Sequence, residues 1–181
     1  MKKLLIPVIL AFCMTPGTHG RCADNAPLAL ANARNAVQSE FDRLDGGLKR
    51  AADRLGATGL TGEAARAALA ELCAGFSYAV DCAAVDPTGK MATIEPALYR
   101  HFEGADISGQ EQIKRMMQTG KPVLSEVFLS VEGLVTADAE YPITSRDGSV
   151  QGSVSLLFRP EKFLGDIIRP LVKGLPVDVW A

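Results

Sequence analysis

The spacing of apolar residues changes its period at Phe76, and this change limits the chain to folds that combine helices with a sheet. Before this point, apolar side chains recur at intervals of four and three residues, as on one face of a helix. They are Val37, Phe41, Leu44, Leu48, Ala51 and Leu55. After it, the chain consists mainly of strand-like segments bounded by turns. Helices first and strands later predict an α+β fold with an antiparallel sheet.

Turn and cap signals divide the chain into elements. A long helix is predicted over 27–55, with Gly46 and Gly47 as a bend or break, and a second from Thr61 as N-cap to Ala74. The further predictions are strands over 77–85 and 90–94, a short helix over 96–102, a helix capped by Ser108 and ending at Gly120, strands over 123–130, 134–144 and 150–159, a helix over 160–173 and a strand over 177–180.

The start of the chain has the pattern of a secretory signal. Lys2 and Lys3 precede an apolar stretch over 4–14, which Pro16 and Gly17 end before several small residues. We therefore expect residues 1–23 to be a signal peptide and residues 24–181 to form one domain, periplasmic or secreted. A cytosolic N-terminal helix is one alternative. A lipoprotein is a weaker one, because residues 10–13 resemble a lipobox but have the bulky Phe12 before the cysteine.

The composition argues against nucleic-acid binding and against a membrane span after the leader. The net charge is −2, 48% of residues are hydrophobic and 22% are charged. These values predict a folded domain, and no block of Lys and Arg indicates a nucleic-acid partner. After the leader, no apolar run approaches the roughly 18–20 residues that a membrane span needs.

Two cysteines flank the predicted turn between the second helix and the first strand. Cys73 and Cys82 can form a disulfide across it, or they can be two buried thiols, and the sequence leaves both interpretations open. Their spacing does not fit a zinc site, so no metal is expected.

Catalytic patterns are missing from the chain. After the leader, His101 is the one histidine, and no Gly-x-Ser-x-Gly elbow, phosphate loop or calcium loop is present. We expect no catalytic residue and no cofactor, with His101 at the surface or at a pocket rim.

Asp138 and Glu140 are the carboxylate pair that needs an explanation. Residues two apart on a strand share a face, and here the opposite face carries Ala137, Ala139 and Tyr141. A solvated polar face is the favoured interpretation. The alternative is a polar lining of a ligand cavity.

Two segments resemble a known family. Residues 99–114 (YRHFEGADISGQEQIK) and 119–128 (TGKPVLSEVF) look like the helix-to-strand region of Cache domains, the extracytoplasmic PAS-like sensors of bacteria and archaea. The resemblance extends over about 37–173. Gln110 and Gln112 depart from it, because many members have an arginine and an aromatic residue there that hold ligand carboxylates.

The resemblance implies a PAS-like fold in which an antiparallel sheet, a long N-terminal helix and covering helices enclose a ligand pocket. The candidate ligand-binding residues are Tyr99, Arg100 and Phe102 on the cover and Lys121, Ser125, Phe128, Tyr141 and Ser155 on or near the strands.

The function that follows is a small-molecule sensor that signals through another protein, such as a membrane receptor or kinase. Two alternatives stay open. One is an interaction module that forms a homodimer through its N-terminal helix. The other is a small hydrolase that uses Asp138 and Glu140.

Overall fold

The computed structural model describes residues 22–145 and 147–173. Its elements in chain order are α1 (Cys22–Thr58), α2 (Glu63–Ala74), β1 (Ala79–Val85), β2 (Met91–Glu95), a 3-10 helix (Ala97–Phe102), α3 (Glu111–Thr119), β3 (Val123–Leu124), β4 (Phe128–Leu129), β5 (Val135–Thr144), β6 (Val150–Phe158) and α4 (Pro160–Val172). Most of the predicted signal peptide and the predicted strand over 177–180 lie outside the described residues, and both stay predictions.

Contacts divide the described chain into two units. Residues 22–43 and 161–173 form the smaller unit, in which the rings of Phe41 in α1 and Phe163 in α4 lie 4.8 Å apart between centroids. Residues 44–160 form the larger unit, which contains the whole sheet. Within the described residues, no helix is both long enough and apolar enough to cross a membrane.

The sheet is antiparallel, with the strand order β2-β1-β6-β5-β3, and β4 pairs with β5 outside this order. One face carries Cys82, Leu156 and Ala139 in register across β1, β6 and β5. Helix α2 and the part of α1 from Leu44 onward cover that face, where Gly56 approaches Ile143 and Thr144. This burial matches the predicted apolar stripe of α1.

The opposite face is covered by the segment between β2 and β3. An apolar cluster there contains Ala83, Val85, Met91, Ile94, Ile107 and Ile113, with Tyr99, Phe102, Ala105 and Met117 packed against it. Helix α3 contacts β5 and β3 and closes this side. The sheet is therefore buried on both faces, which explains why β6 is buried from Gly152 to Phe158.

Two predicted helix caps are wrong. Helix α2 begins after Gly62, whose φ of 86° turns the chain, and α3 begins after Gln110; neither start has a side-chain cap. At the second site, the Asp106 carboxylate accepts the Ser108 N–H at 2.9 Å, and this local turn delays the helix.

Two other boundaries differ from the prediction. Helix α1 continues through Gly46 and Gly47, where a Cβ on Gly47 would lie 3.0 Å from the ring of Phe76. The strand predicted over 123–130 is divided into β3 and β4. Ser125 causes this division, because its hydroxyl accepts the Asp138 N–H at 2.8 Å in place of a regular ladder bond.

A disulfide joins α2 to the sheet. The Cα atoms of Cys73 and Cys82 are 5.7 Å apart and their sulfur atoms are bonded. Closing so short a loop stabilises the folded state by about 2–3 kcal/mol in the chain-entropy account.

Candidate functional site

Three acidic side chains share the face of the sheet that the β2–β3 segment covers. Asp81 in β1 and Asp138 in β5 lie opposite Leu157 of β6, one on each side, and Glu140 follows two residues after Asp138. Adjacent strands are about 4.8 Å apart, so the Cα atoms of the two aspartates are about 10 Å apart. The favoured interpretation of a solvated polar face is wrong, because Asp138 is 4% exposed and Glu140 is 1% exposed.

A small cavity opens beside these carboxyl groups. It contains about 260 Å³ of empty space, including the part open to solvent. The lining residues come from β1, β2, β5, β6, the loop before α3 and the hairpin between β4 and β5. They are Asp81, Met91, Ile107, Gln110, Phe128, Ser130, Val131, Glu132, Asp138, Ser155 and Leu157. The part of this space that a water-sized molecule can occupy is about 20 Å³, so the cavity is small and suits only a ligand group of few heavy atoms.

Several buried polar atoms at this cavity have no hydrogen-bond partner. Among the lining residues these are Asp81 Oδ2, Asp138 Oδ1 and Ser130 Oγ. An unpaired buried polar group costs about 1–3 kcal/mol, and more if it is charged. Buried polar groups are nearly always paired in native proteins, so we expect bound water or a ligand to supply donors to these three acceptors.

Two amide side chains at the start of α3, one in the loop before it and one in its first turn, orient one of these carboxyl groups. Gln112 Nε2 donates to Gln110 Oε1 at 2.7 Å and lies 3.3 Å from Asp138 Oδ2. One oxygen of Asp138 is therefore held by an amide, and the other, Oδ1, has no amide or hydroxyl donor. The Asp138 carboxyl group also interacts with the carboxyl group of Glu140.

Burial and mutual repulsion make ionisation of these acids unfavourable. Burial, with a further contribution from the charge of Glu132, raises the pKa of Asp138 to about 6. Burial also raises the pKa of Asp81 well above its usual range, and the charges of Glu132 and Asp138 add to this effect. Burial and the charge of Asp138 also raise the pKa of Glu140 well above its usual range. Ser153 is close enough to oppose this shift, but neither oxygen of Glu140 has a partner with hydrogen-bond geometry.

The cavity lining contains three acidic residues and neither Lys nor Arg. In the described part of the chain, no three His, Cys, Asp or Glu side chains converge as metal ligands do. A cation other than a protein side chain would therefore find charge and hydrogen-bond acceptors here.

We expect the ligand-free protein to lose stability as the pH rises from about 4 to about 6. In this range the folded state retains protons on Asp81, Asp138 and Glu140 that the unfolded chain has released. A state that binds more protons is favoured at low pH, so the free energy of unfolding falls by about 1.4 kcal/mol per pH unit for each retained proton. For Asp138 the fall occurs between about pH 4 and 6. Urea denaturation across this range, without amines in the buffer, measures it.

Carboxyl groups with lowered pKa values do not interfere with this measurement. Hydrogen bonds lower the pKa of Asp147 to about 2 and lower those of Asp86, Glu103 and Asp106, so all four are ionised in both states above pH 5. A free energy of unfolding that increases between pH 5 and 7 would contradict the burial of three protonated acids.

The structure places two of the eight candidate ligand-binding residues at this cavity, Phe128 and Ser155. Tyr99 and Phe102 pack against the apolar cluster instead. Lys121 is exposed, and the Ser125 hydroxyl is used in the backbone contact with Asp138. These four side chains do not line the cavity.

The other two candidates have structural contacts of their own. Tyr141 lies on the opposite face of β5, paired with Val154. Arg100 donates to Glu95 Oε1 from Nε at 3.0 Å and from Nη2 at 2.6 Å. Arg66 contacts the same oxygen at 3.4 Å and binds Glu103, so these ion pairs connect α2, β2 and the chain after the 3-10 helix.

Sequence reasoning missed Asp81 and Glu132. The available signal for Asp81 is one charge inside an otherwise apolar segment, residues 79–85. Asp81 comes near Asp138 because both residues pair with Leu157 of β6. This strand register cannot be predicted from the local sequence. Glu132 lies in a turn and has no distinguishing local pattern.

Solved structures share this fold. The chain is 40% identical to an extracellular ligand binding receptor from Desulfohalobium retbaense, with a TM-score of 0.78, over 83% of this chain and 28% of that one. The ligand-binding domain of Campylobacter jejuni chemoreceptor Tlp3 in complex with L-valine gives 14% identity and a TM-score of 0.65, over 84% of this chain and 64% of that one. The domain of Pseudomonas fluorescens chemoreceptor CtaA in complex with L-serine gives 15% and 0.59, over 77% and 60%.

The two chemoreceptor likenesses show the fold alone. They confirm the predicted α+β fold of the PAS-like/Cache type, with an antiparallel sheet and a long N-terminal helix. This chain spans less than two thirds of the length of each of the three solved chains. No curated protein sequence matches it.

A family match covers most of the larger unit. The HK/GC/Chemotaxis protein-like sensor domain matches residues 39–160, which is more than half of the chain. With the solved structures, this match supports an extracytoplasmic sensor domain and confirms the predicted sensor role; it does not support the interaction module or the hydrolase. The chain belongs to the HK/GC/Chemotaxis protein-like sensor domain family.

Proposed function

We propose that this sensor is of the Cache type, is periplasmic or secreted, and binds a small molecule through a cationic amino group without changing it. The observation that carries the proposal is the pair of buried, unpaired carboxyl oxygens at the cavity, Asp81 Oδ2 and Asp138 Oδ1.

An ammonium group meets what these atoms lack. It carries three donors and no acceptor, so it can donate to both carboxylates and to the Ser130 hydroxyl. Charge-assisted hydrogen bonds of this kind are about twice as strong as neutral ones. The protein has already removed these carboxyl groups from water during folding, so the ligand need not pay again for their desolvation.

The remaining wall of the cavity accommodates an alkyl group. Met91, Ile107, Phe128, Val131 and Leu157 supply apolar surface beside the polar atoms. Burying ligand methylene groups there contributes about 0.8 kcal/mol each. A short aliphatic amine or a small amino acid fits this combination.

The ligands of two solved relatives agree with an amino group in the ligand. The Tlp3 domain is described with L-valine and the CtaA domain with L-serine, and both molecules carry an ammonium group. Of the residues predicted from sequence, Phe128 and Ser155 are retained in the proposed site.

The proposal excludes catalysis at this site. The acids lie beside no nucleophile with a base, and His101 is exposed and contacts the Leu98 carbonyl instead of the cavity. Another protein must therefore respond to ligand binding, and we propose a membrane receptor or kinase for that role.

The test compares each amine with its deaminated counterpart. Thermal unfolding of the protein is followed with L-valine, L-serine and short aliphatic amines, and with the corresponding 2-hydroxy acids and alcohols. We expect stabilisation by at least one amine, about 2.7 kcal/mol at a hundredfold excess over Kd. Equal stabilisation by the deaminated partners, or by no amine at all, would refute the proposal.

A further inference from the structure

We infer that the ligand of this cavity is a short alkyl diamine, in which Asp81 and Asp138 hold one ammonium group and Glu132 holds the second. The inference rests on the proposed function, because it requires that an amine binds there. It goes further by assigning a second cationic group, excluding a carboxylate and giving Glu132 a role in specificity.

The first step is the charge of the lining. Asp81, Glu132 and Asp138 all line the cavity, no Lys or Arg does, and Glu140 is buried behind Asp138 on the same sheet face. In a site of low dielectric, one ammonium group can compensate one ionised carboxylate of this set, and the other acids stay protonated or uncompensated. Two ammonium groups on one ligand match this set better.

The second step is what a carboxylate would meet. The zwitterionic α-amino acid adds a negative charge next to acids that already repel one another. Gln112 Nε2 is engaged by Gln110 Oε1 and by Asp138, which leaves the Gln110 amide as the side-chain nitrogen donor among the lining residues. The cavity thus lacks a cation to balance a ligand carboxylate.

The third step is the position of Glu132. The turn between β4 and β5 is held by the Ser130 N–H to the Leu134 carbonyl at 2.9 Å and by the Gly133 N–H to the Ser130 carbonyl at 3.0 Å. This turn places both Ser130 and Glu132 on the cavity wall, beyond Asp138 along the sheet. Glu132 is half-buried while Asp81 is 1% exposed, so the site has an inner and an outer acidic end.

The cavity lining also has an apolar part. Val131, Phe128 and Leu157 are apolar lining residues. A methylene chain can lie against them while each terminal ammonium reaches a carboxylate. A ligand with an ammonium group at each end and a methylene chain between them can therefore contact both the acidic and the apolar lining residues.

Calorimetric titration of the full chain tests this with four probes: 1,4-diaminobutane, butylamine, 4-aminobutanoate and L-valine. We expect the diamine to bind at least tenfold more tightly than butylamine, and the two amino acids to bind more weakly than butylamine. Glu132→Gln should reduce the advantage of the diamine over butylamine, both measured in the variant, to threefold or less. Glu126→Gln, an exposed acid outside the cavity on the same segment, is the matched control.

The outcomes separate this inference from the proposed function. Binding of L-valine as tight as that of the diamine, equal affinity for the diamine and butylamine, or no effect of Glu132→Gln would overturn the inference and leave the amine sensor standing. Absence of binding by every amine would overturn both. Tight binding of Mg²⁺ or Ca²⁺ that displaces the diamine would also overturn the inference, because the carboxylates would then form a metal site.

Discussion

Asp138→Asn is expected to abolish amine binding and, at the same time, to raise the stability of the ligand-free protein at pH 8. The substitution keeps the shape of the side chain and removes a charge that is 4% exposed and has one unpaired oxygen. Binding should weaken by a hundredfold or more, since a charge-assisted contact is lost. With a folded-state pKa of about 6, ionisation at pH 8 costs up to about 3 kcal/mol, which the neutral amide avoids.

Urea denaturation with and without butylamine at pH 5 and pH 8 measures both effects. The gain in the free energy of unfolding should be about twice as large at pH 8 as at pH 5, because the linked loss of wild-type stability runs from about pH 4 to 6 and is about half complete at pH 5. Asp53→Asn is the control, because Asp53 forms an exposed ion pair with Lys49 on α1 and should change neither stability nor affinity appreciably. A less stable Asp138→Asn protein that still binds the amine would contradict the assignment.

Opposite changes in stability and affinity would identify Asp138 as a functional residue. A carboxylate that served only the fold would be expected to destabilise the protein when neutralised. Burial of the Asp138 carboxyl group without a cation lowers the free energy of unfolding of the ligand-free protein, and a bound ammonium group offsets this loss. Functional sites commonly reduce stability in this way.

The acidic face was predictable from sequence, but its burial was not. Alternation along β5 places Asp138 and Glu140 together, opposite Ala137 and Ala139, as observed. Whether that face meets water depends on α3 and the β4–β5 hairpin, which return to the sheet from elsewhere in the chain. A strand pattern shows which residues share a face and does not show what covers the face.

The same alternation could have corrected one candidate. Tyr141 is an odd number of residues from Asp138 and Glu140, so it must lie on the other face, and the structure places it there. The errors at Thr61 and Ser108 have a different origin. A glycine with positive φ precedes α2, and a local hydrogen bond precedes α3, so both helices begin later than predicted. Sequence patterns for helix caps do not include these effects.

Gly152→Ala is expected to be the most destabilising single-methyl substitution in the sheet. Gly152 has a φ of 140°, and a Cβ there would lie far inside van der Waals contact of the Val85 carbonyl oxygen and 3.3 Å from Leu60 Cδ1. The strained backbone and the forced separation of β1 from β6 should lower the free energy of unfolding by about 3–5 kcal/mol.

The control for this substitution separates backbone strain from collision. Gly59 also has a positive φ, of 92°, but a Cβ added there meets nothing within 4 Å, so Gly59→Ala should cost only about 1 kcal/mol. Equal costs for the two variants, measured by urea denaturation, would show that the contact between Val85 and Gly152 is not tight. If the collision is real, the Gly152→Ala protein that still folds should also bind amines less well. The β1–β6 pairing that the methyl group would disturb is the pairing that holds Asp81 beside Leu157.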